Sequence, residues 1–216
     1  MNHAVAPNLS PRFDATLRDA LRQRLPALGG HVVPDADKLK HAAVCLIVAD
    51  DGAGAASVVL TLRPNHLNRH ANQFALPGGR IDKGETALEA ALRECREEVS
   101  LDLPGDAIIG RLDDFPTRSG YLITPFVAWM PEGATMTPNP DEVAEIFRVP
   151  FAEFCKPGSP EFVSIPESDR PVIRYPMLGT RIHAPTAAMA YQFIECAVHD
   201  RITPVAHLEQ PTWAWR

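Results

Sequence analysis

The sequence predicts a mixed sheet set between helices, of the α/β or α+β class. Two observations carry that expectation. Short runs of strand character alternate with stretches of helical periodicity along the chain, and no internal repeat, low-complexity tract or linker divides it. The 216 residues are enough to bury an ordinary core, and 45% hydrophobic with 22% charged residues is a globular composition.

The elements follow in order. Ser10-Pro11 reads as a helix start, and Phe13, Leu17, Leu21 and Leu25 then recur every fourth residue up to Pro26. We expect residues 1–36 to form a helical extension packed on a body of residues 37–200, with 201–216 as a tail. The apolar runs 41–50 and 56–64 flank the turn sequence Asp51-Gly-Ala-Gly54 and predict a β-hairpin or two neighbouring strands. A loop leads to a helix over about Thr86 to Val99. Further strands are expected at 107–115, 121–130 and 145–150, and a last helix from about Pro185 to His199. The 21 prolines punctuate the second half, around 131–140 and 150–176, which predicts loops and short strands there.

Charge and cysteine usage exclude several classes. A net charge of −6 offers no general attraction to nucleic acid or an anionic membrane, so a phosphate-bearing partner must be held by local cations or a metal. No early apolar run resembles a signal peptide, Asp14 and Asp19 interrupt the Arg-bearing N-terminus that a transit peptide would show, and no run is long enough to span a bilayer. The expectation is a cytoplasmic protein. Cys45, Cys95, Cys155 and Cys196 lack the spacing of a zinc site or disulfide framework and read as small buried residues.

One helix carries an unusual charge pattern. Thr86 and Glu89 make a capping-box sequence, and Leu88, Leu92, Cys95 and Val99 share a face that should be buried, with Ala91 at its edge. Glu94, Glu97 and Glu98 gather on another face, where like-charge pairs are unfavourable by roughly 0.2–0.5 kcal/mol each. They also sit at the C-terminal end, where the helix dipole disfavours negative charge. A solvated surface with Arg93 and Arg96 as counterions is the plainer explanation. A divalent ion would relieve both problems, because magnesium takes a few carboxylates and keeps places for water and phosphate oxygens.

The residues before this helix extend the pattern. From Gly79 the chain reads Gly, five residues, Glu85, seven residues, then Arg93-Glu94-Cys95-Arg96-Glu97-Glu98-Val99-Ser100-Leu101. This resembles the signature of the Nudix hydrolases at every position but one, Ser100, where the family usually has Gly. The resemblance implies an α/β/α sandwich and metal-dependent hydrolysis, with magnesium or manganese, of a nucleoside diphosphate linked to another group. It implies that Glu94 and Glu98 ligate metal and that Glu97 ligates or orients the attacking water. It further implies that the Gly79 carbonyl helps hold the metal and that Arg93 pairs with Glu85 to fix the helix against the loop. Glu97 and, in a later loop, Glu142 are the candidates for general base. If the usual Gly supplies a positive φ, Ser100 should be mildly strained there.

The flanks narrow the substrate. Leu60, Thr61, Arg63, Leu67, His70, Gln73, Pro77, Gly78 and Gly79 resemble the upstream element of the coenzyme A pyrophosphatase branch. Asn72 and Leu76 depart from it, standing in place of Gly and Phe. That branch implies products 3′,5′-ADP and phosphopantetheine, with Arg63, Arg69, His70, Arg80 and Arg118 as candidate phosphate contacts. ADP-ribose, a dinucleotide or a nucleoside triphosphate are other substrates the signature admits. An inactive Nudix-fold nucleotide-binding regulator is the alternative of another class. A homodimer is a family-level expectation.

Overall fold

The computed structural model describes residues 8–30, 33–65 and 72–215. Helix α1 (Ala15–Arg24) begins later than Ser10-Pro11 predicts. Arg12 bridges to Ala55, the Phe13 N–H donates to the Gly54 carbonyl, and the Phe13 ring stacks on Trp129 at 4.1 Å. The chain is therefore not helical before Asp14, whose carboxylate caps the helix by accepting from the Leu17 N–H at 3.0 Å. Leu17, Leu21 and Leu25 go into the core as the fourfold spacing predicts.

Strands β1 (Lys40–Asp50) and β2 (Ala56–Leu62) form the expected antiparallel hairpin. Asp50 and Asp51 organise its turn, their carboxylates accepting from the N–H groups of Gly52 and Gly54, and of Ala53 and Ala55. Beyond that end the two strands splay. The short β3 (Phe74–Ala75) pairs with β2, while β4 (Gly78–Arg80) pairs with β1 through Ala42↔Arg80, Ala43↔Gly79 and Val44↔Gly78. Helix α2 (Ala87–Val99) follows. Then come β5 (Ile108–Arg111), β6 (Phe115–Pro116) and β7 (Tyr121–Trp129), of which β7 runs parallel to β1 along nine paired positions from Lys40↔Tyr121 to Val48↔Trp129. Strand β8 (Glu145–Pro150) closes the outer edge of β2.

Alternation along β1 builds three layers. Ala42, Val44, Leu46 and Val48 join α1 and the later helix α4 (Thr186–His199) in the larger core. Ala43, Cys45, Ile47 and Ala49 face α2 on the opposite side. There the thiols of Cys45 and Cys95, distant in sequence, meet in a hydrogen bond, and that contact with burial holds the Cys95 thiol well above its ordinary range. The mixed central sheet between helices is thus the predicted class.

The proline-rich second half holds more regular structure than its prolines suggest. After the one-turn α3 (Phe151–Phe154), strands β9 (Glu161–Ile165), β10 (Ser168–Met177) and β11 (Thr180–His183) form an antiparallel sheet. Pro171 is tolerated because the β9–β10 register shifts between Ser168 and Val172, so the strand has no ladder bond to lose there. Leu178-Gly179, both at positive φ (54° and 72°), make the β10–β11 turn. Val205 and Leu208 of the tail are buried in the larger core. No helix among the described residues is long and apolar enough to cross a membrane.

Candidate active site

Helix α2 starts where the sequence places it. Thr86 Oγ1 accepts from the Glu89 N–H at 3.2 Å, and Glu89 Oε2 accepts from the Thr86 N–H at 2.8 Å, completing the capping box. Of the predicted buried face Cys95, Val99 and Ala91 are fully buried, but in the first half of the helix the face is rotated. Leu88 and Leu92 are half-buried, whereas Ala90 and Ala91 are fully buried against Ala43. Small side chains at this contact bring α2 close to the sheet, and the turn of helix that follows is pressed onto β4. Glu94 and Glu98 are consequently buried, at 9% and 3% exposure, not displayed as part of an exposed acidic triad. Gly79 makes this possible, since a Cβ there would fall on the Glu94 carboxylate. A Cβ at Gly78 would collide with the backbone of Ala43 and Val44.

A third carboxylate arrives from the loop before β8. The Thr137 N–H donates to the Val99 carbonyl and the Asn139 N–H to the Glu98 carbonyl, both at 2.9 Å, tying this loop to the last turn of α2. Asn139 also accepts at its side chain from the Asp141 N–H at 3.2 Å, and its carbonyl accepts from the N–H groups of Glu142 and Val143. Asn139 is a site-shaping residue that the sequence reading missed. Its signal was the turn sequence Asn-Pro-Asp. The loop delivers Glu142 so that one ligand atom from each of Glu94, Glu98 and Glu142 lies within 4.8 Å of the other two.

The electrostatics of this trio are unbalanced. Burial, and then the neighbouring charge of Glu94, push the Glu98 carboxyl up to about 8, against the weaker pull of Arg63. Arg63 Nη1 stands 3.9 Å from Glu98 Oε1, and the Gly78 N–H donates to Oε2 at 3.4 Å. Burial also raises the Glu94 carboxyl, opposed by its hydrogen bond from Arg93. Three acids converge with little to neutralise them. Oxygen donors only, partly buried, and mutually repelling in the absence of a cation, they suit a hard divalent ion.

Arg93 braces the other side. Its Nε and Nη2 make a two-point contact with Glu85, at 2.9 and 3.1 Å, and Nη2 also donates to the Arg80 carbonyl at 3.0 Å. Nη1 donates to Glu94 at 2.8 Å and to Glu97 at 2.9 Å. Glu97 is exposed and lies at the rim, outside the converging trio.

The expected phosphate contacts are dispersed. Arg63 is at the trio. The Arg80 guanidinium lies over the Tyr121 ring, 5.4 Å from its centroid. Arg118 is committed elsewhere: it donates from Nε and Nη2 to Glu209, which is 2% exposed, and lies 5.0 Å from the Trp215 ring centroid. Arg69, His70 and Leu67 fall outside the described residues.

Comparison with known proteins places this geometry. The NUDIX domain family model matches residues 39–173, well over half of the chain. A relative from Photorhabdus laumondii described as the uncharacterized Nudix hydrolase NudL is 36% identical over 130 residues, covering 60% of this chain and 68% of its own. One of the same description from Yersinia enterocolitica is 39% identical over 98 residues, and the match spans 45% of this chain and only half of that relative. Among solved structures, a MutT/nudix family protein from Enterococcus faecalis superposes with a TM-score of 0.51 over 82% of this chain and 69% of its own at 15% identity, a likeness of fold. With the signature on α2, the glycines of β4 beneath it and a family match running through both, this chain belongs to the Nudix hydrolase family.

Proposed function

We propose that the protein is a divalent-metal-dependent pyrophosphohydrolase that cleaves a nucleoside diphosphate linked to another group, with coenzyme A or its derivatives as substrate and 3′,5′-ADP and phosphopantetheine as products. The observation that carries the reading is the convergence of Glu94, Glu98 and Glu142 within 4.8 Å. Glu94 and Glu98 would hold magnesium or manganese, which supplies charge neutralisation for the diphosphate and acidifies water. Gly79 lets Glu94 reach that position. Among the described residues the Glu142 carboxylate makes no hydrogen bond or ion pair, and it is the group we assign to orient the attacking water and accept its proton. Glu97, held by Arg93, serves at the rim as an additional oxygen donor or as the alternative base. The Glu85–Arg93 pair fixes the helix against the β4 backbone, so that the attack is positioned and not merely permitted.

Support for the coenzyme A class comes from the upstream element. Asn72 stands where that branch usually has Gly, and it adopts φ 56°, a conformation that Asn tolerates better than most residues. The turn is kept: the Asn72 N–H donates to the Arg63 carbonyl at 3.1 Å and the Arg63 N–H to the Gln73 carbonyl at 3.0 Å. The departure therefore leaves Arg63 beside Glu98, where it can meet a phosphate.

The test is turnover of a panel comprising coenzyme A, ADP-ribose, NADH and nucleoside triphosphates, with magnesium and with manganese, following release of 3′,5′-ADP or AMP. Coenzyme A should be preferred by kcat/KM. Preference for ADP-ribose or a triphosphate would overturn the substrate class, and nucleotide binding without any turnover would favour a regulatory module.

A further inference from the structure

A cavity of about 380 Å³ opens where β1, β7, β11 and the start of α4 meet, within the usual range for small-molecule sites. It connects with the acidic trio through two pieces of backbone. Ala42 in its wall pairs with Arg80 of β4, and Asn72 and Gln73 in its wall are bonded to Arg63. Although the chain has 27 acids against 21 lysines and arginines, no Asp or Glu among the described residues lines this cavity. Among the described residues its charged member is Arg181, whose one ion pair there is a 3.4 Å contact to Glu161, an acid bonded more closely to Arg174. His183 beside it is pushed down by burial and offers a neutral imidazole. Phe74, Tyr121 and Trp213 contribute aromatic surface, and Trp213 is half-exposed with its ring against His183 at 5.4 Å.

One wall comes from the C-terminal segment, and Arg118 holds it there. The Arg118 N–H donates to Gln210 Oε1 at 2.8 Å, its side chain binds Glu209, and Trp215 Nε1 donates to the Gln210 carbonyl at 2.9 Å. Gln210 and Trp213 then face the cavity.

We propose that this cavity is the subsite for the phosphorylated nucleoside half of the substrate, with the base against Trp213 and its aromatic neighbours and a phosphate at Arg181, and that Arg118 is a positioning residue that keeps the C-terminal wall in place. This rests on the reading of the protein as a nucleoside diphosphate hydrolase. A planar base suits aromatic faces bordered by amide and hydroxyl groups, and an acid-free lining with one loosely held guanidinium suits a ribose phosphate.

The experiment is calorimetric titration of the full-length, EDTA-treated protein with adenosine 3′,5′-bisphosphate, adenosine and 4′-phosphopantetheine. Trp213→Ala should weaken both adenosine ligands about tenfold, the typical effect of losing a stacking surface. Arg181→Gln should weaken the bisphosphate about tenfold, as expected for a lost charge-assisted bond, and leave adenosine unchanged. Wild-type protein that fails to bind the bisphosphate at millimolar concentration overturns the proposal. So does a Trp213→Ala variant that binds it normally, or one that loses phosphopantetheine instead. Because no metal or turnover is involved, the titration decides the cavity even if the hydrolase reading fails. The magnesium-induced rise in Tm, measured on the same variants, reports the acidic trio separately and should be unchanged.

Discussion

Replacing Glu98 with Gln removes an ionisable group from a pocket that 3% exposure has almost closed to water. In the metal-free protein the Glu98 carboxyl sits at about 8, against an ordinary value of 4.5. Between those values the folded state binds the proton that the unfolded state has released, so stability falls as pH rises above 4.5 and the loss levels off above 8. At about 1.4 kcal/mol per unit, the loss attributable to this residue is on the order of 3 kcal/mol by pH 7. Gln is neutral throughout and can still accept from the Gly78 N–H. Urea unfolding in EDTA at pH 5, 7 and 8.5 should therefore show wild-type stability declining by a few kcal/mol more than that of Glu98→Gln. Saturating magnesium should restore the wild type, adding about 2.7 kcal/mol at one hundred times its Kd, and leave the variant nearly unmoved. Metal-dependent turnover should be lost in the variant. Parallel pH profiles for the two proteins, or a Glu98→Gln protein that magnesium still stabilises and activates, would refute the reasoning.

Three further outcomes follow from other residues. Ser100 ends α2 at φ 54°, where an L-residue is disfavoured by roughly 1–2 kcal/mol; allowing for glycine's greater unfolded-state freedom, Ser100→Gly should stabilise by about 0.5–1 kcal/mol and raise Tm by a few degrees without changing kcat. Gly79→Ala sets a methyl group on the Glu94 carboxylate, so turnover should fall by about a hundredfold and the magnesium response weaken, with far-UV circular dichroism preserved; full activity would place the trio elsewhere. Arg118→Ala leaves the buried Glu209 with its hydrogen bonds from Ser168 and the Gln210 N–H but without its counterion, which should destabilise by about 2–3 kcal/mol given the partial exposure of Arg118, and Glu209→Gln in the same chain should recover part of that in chemical unfolding.

The fold was legible wherever one local signal decided the outcome. The capping box at Thr86 marked the start of α2 to the residue, and the Asp-Gly turn marked the first hairpin, because both are satisfied by neighbours in sequence. Prediction failed where a distant partner competed. Phe13 has the right spacing for α1, yet stacking on Trp129 keeps it out of the helix. The β10–β11 hairpin went unpredicted because Leu178 occupies a left-handed position that Asn or Asp normally advertises, and because Pro171 of β10 falls within a register shift that a single sequence does not reveal.

The same division runs through the site. The acids were legible because their spacing on one helix is written in the chain, and so was the Glu85–Arg93 brace. Their burial was not, since it depends on three alanines and two glycines meeting across α2, β1 and β4. That difference changes the chemistry the residues can perform. An exposed carboxylate triad would bind a divalent ion weakly and remain charged without it; two acids closed off from water, with a third brought in by Asn139, favour the ion far more strongly over a bare charge. Arg118 shows the converse: an arginine near aromatic and amide groups looks like a phosphate ligand in one dimension, but a buried Glu209 ninety-one residues away has already claimed it. A cation's availability is decided by which acid the fold buries beside it, so substrate contacts are the part of such a site that sequence spacing reports last.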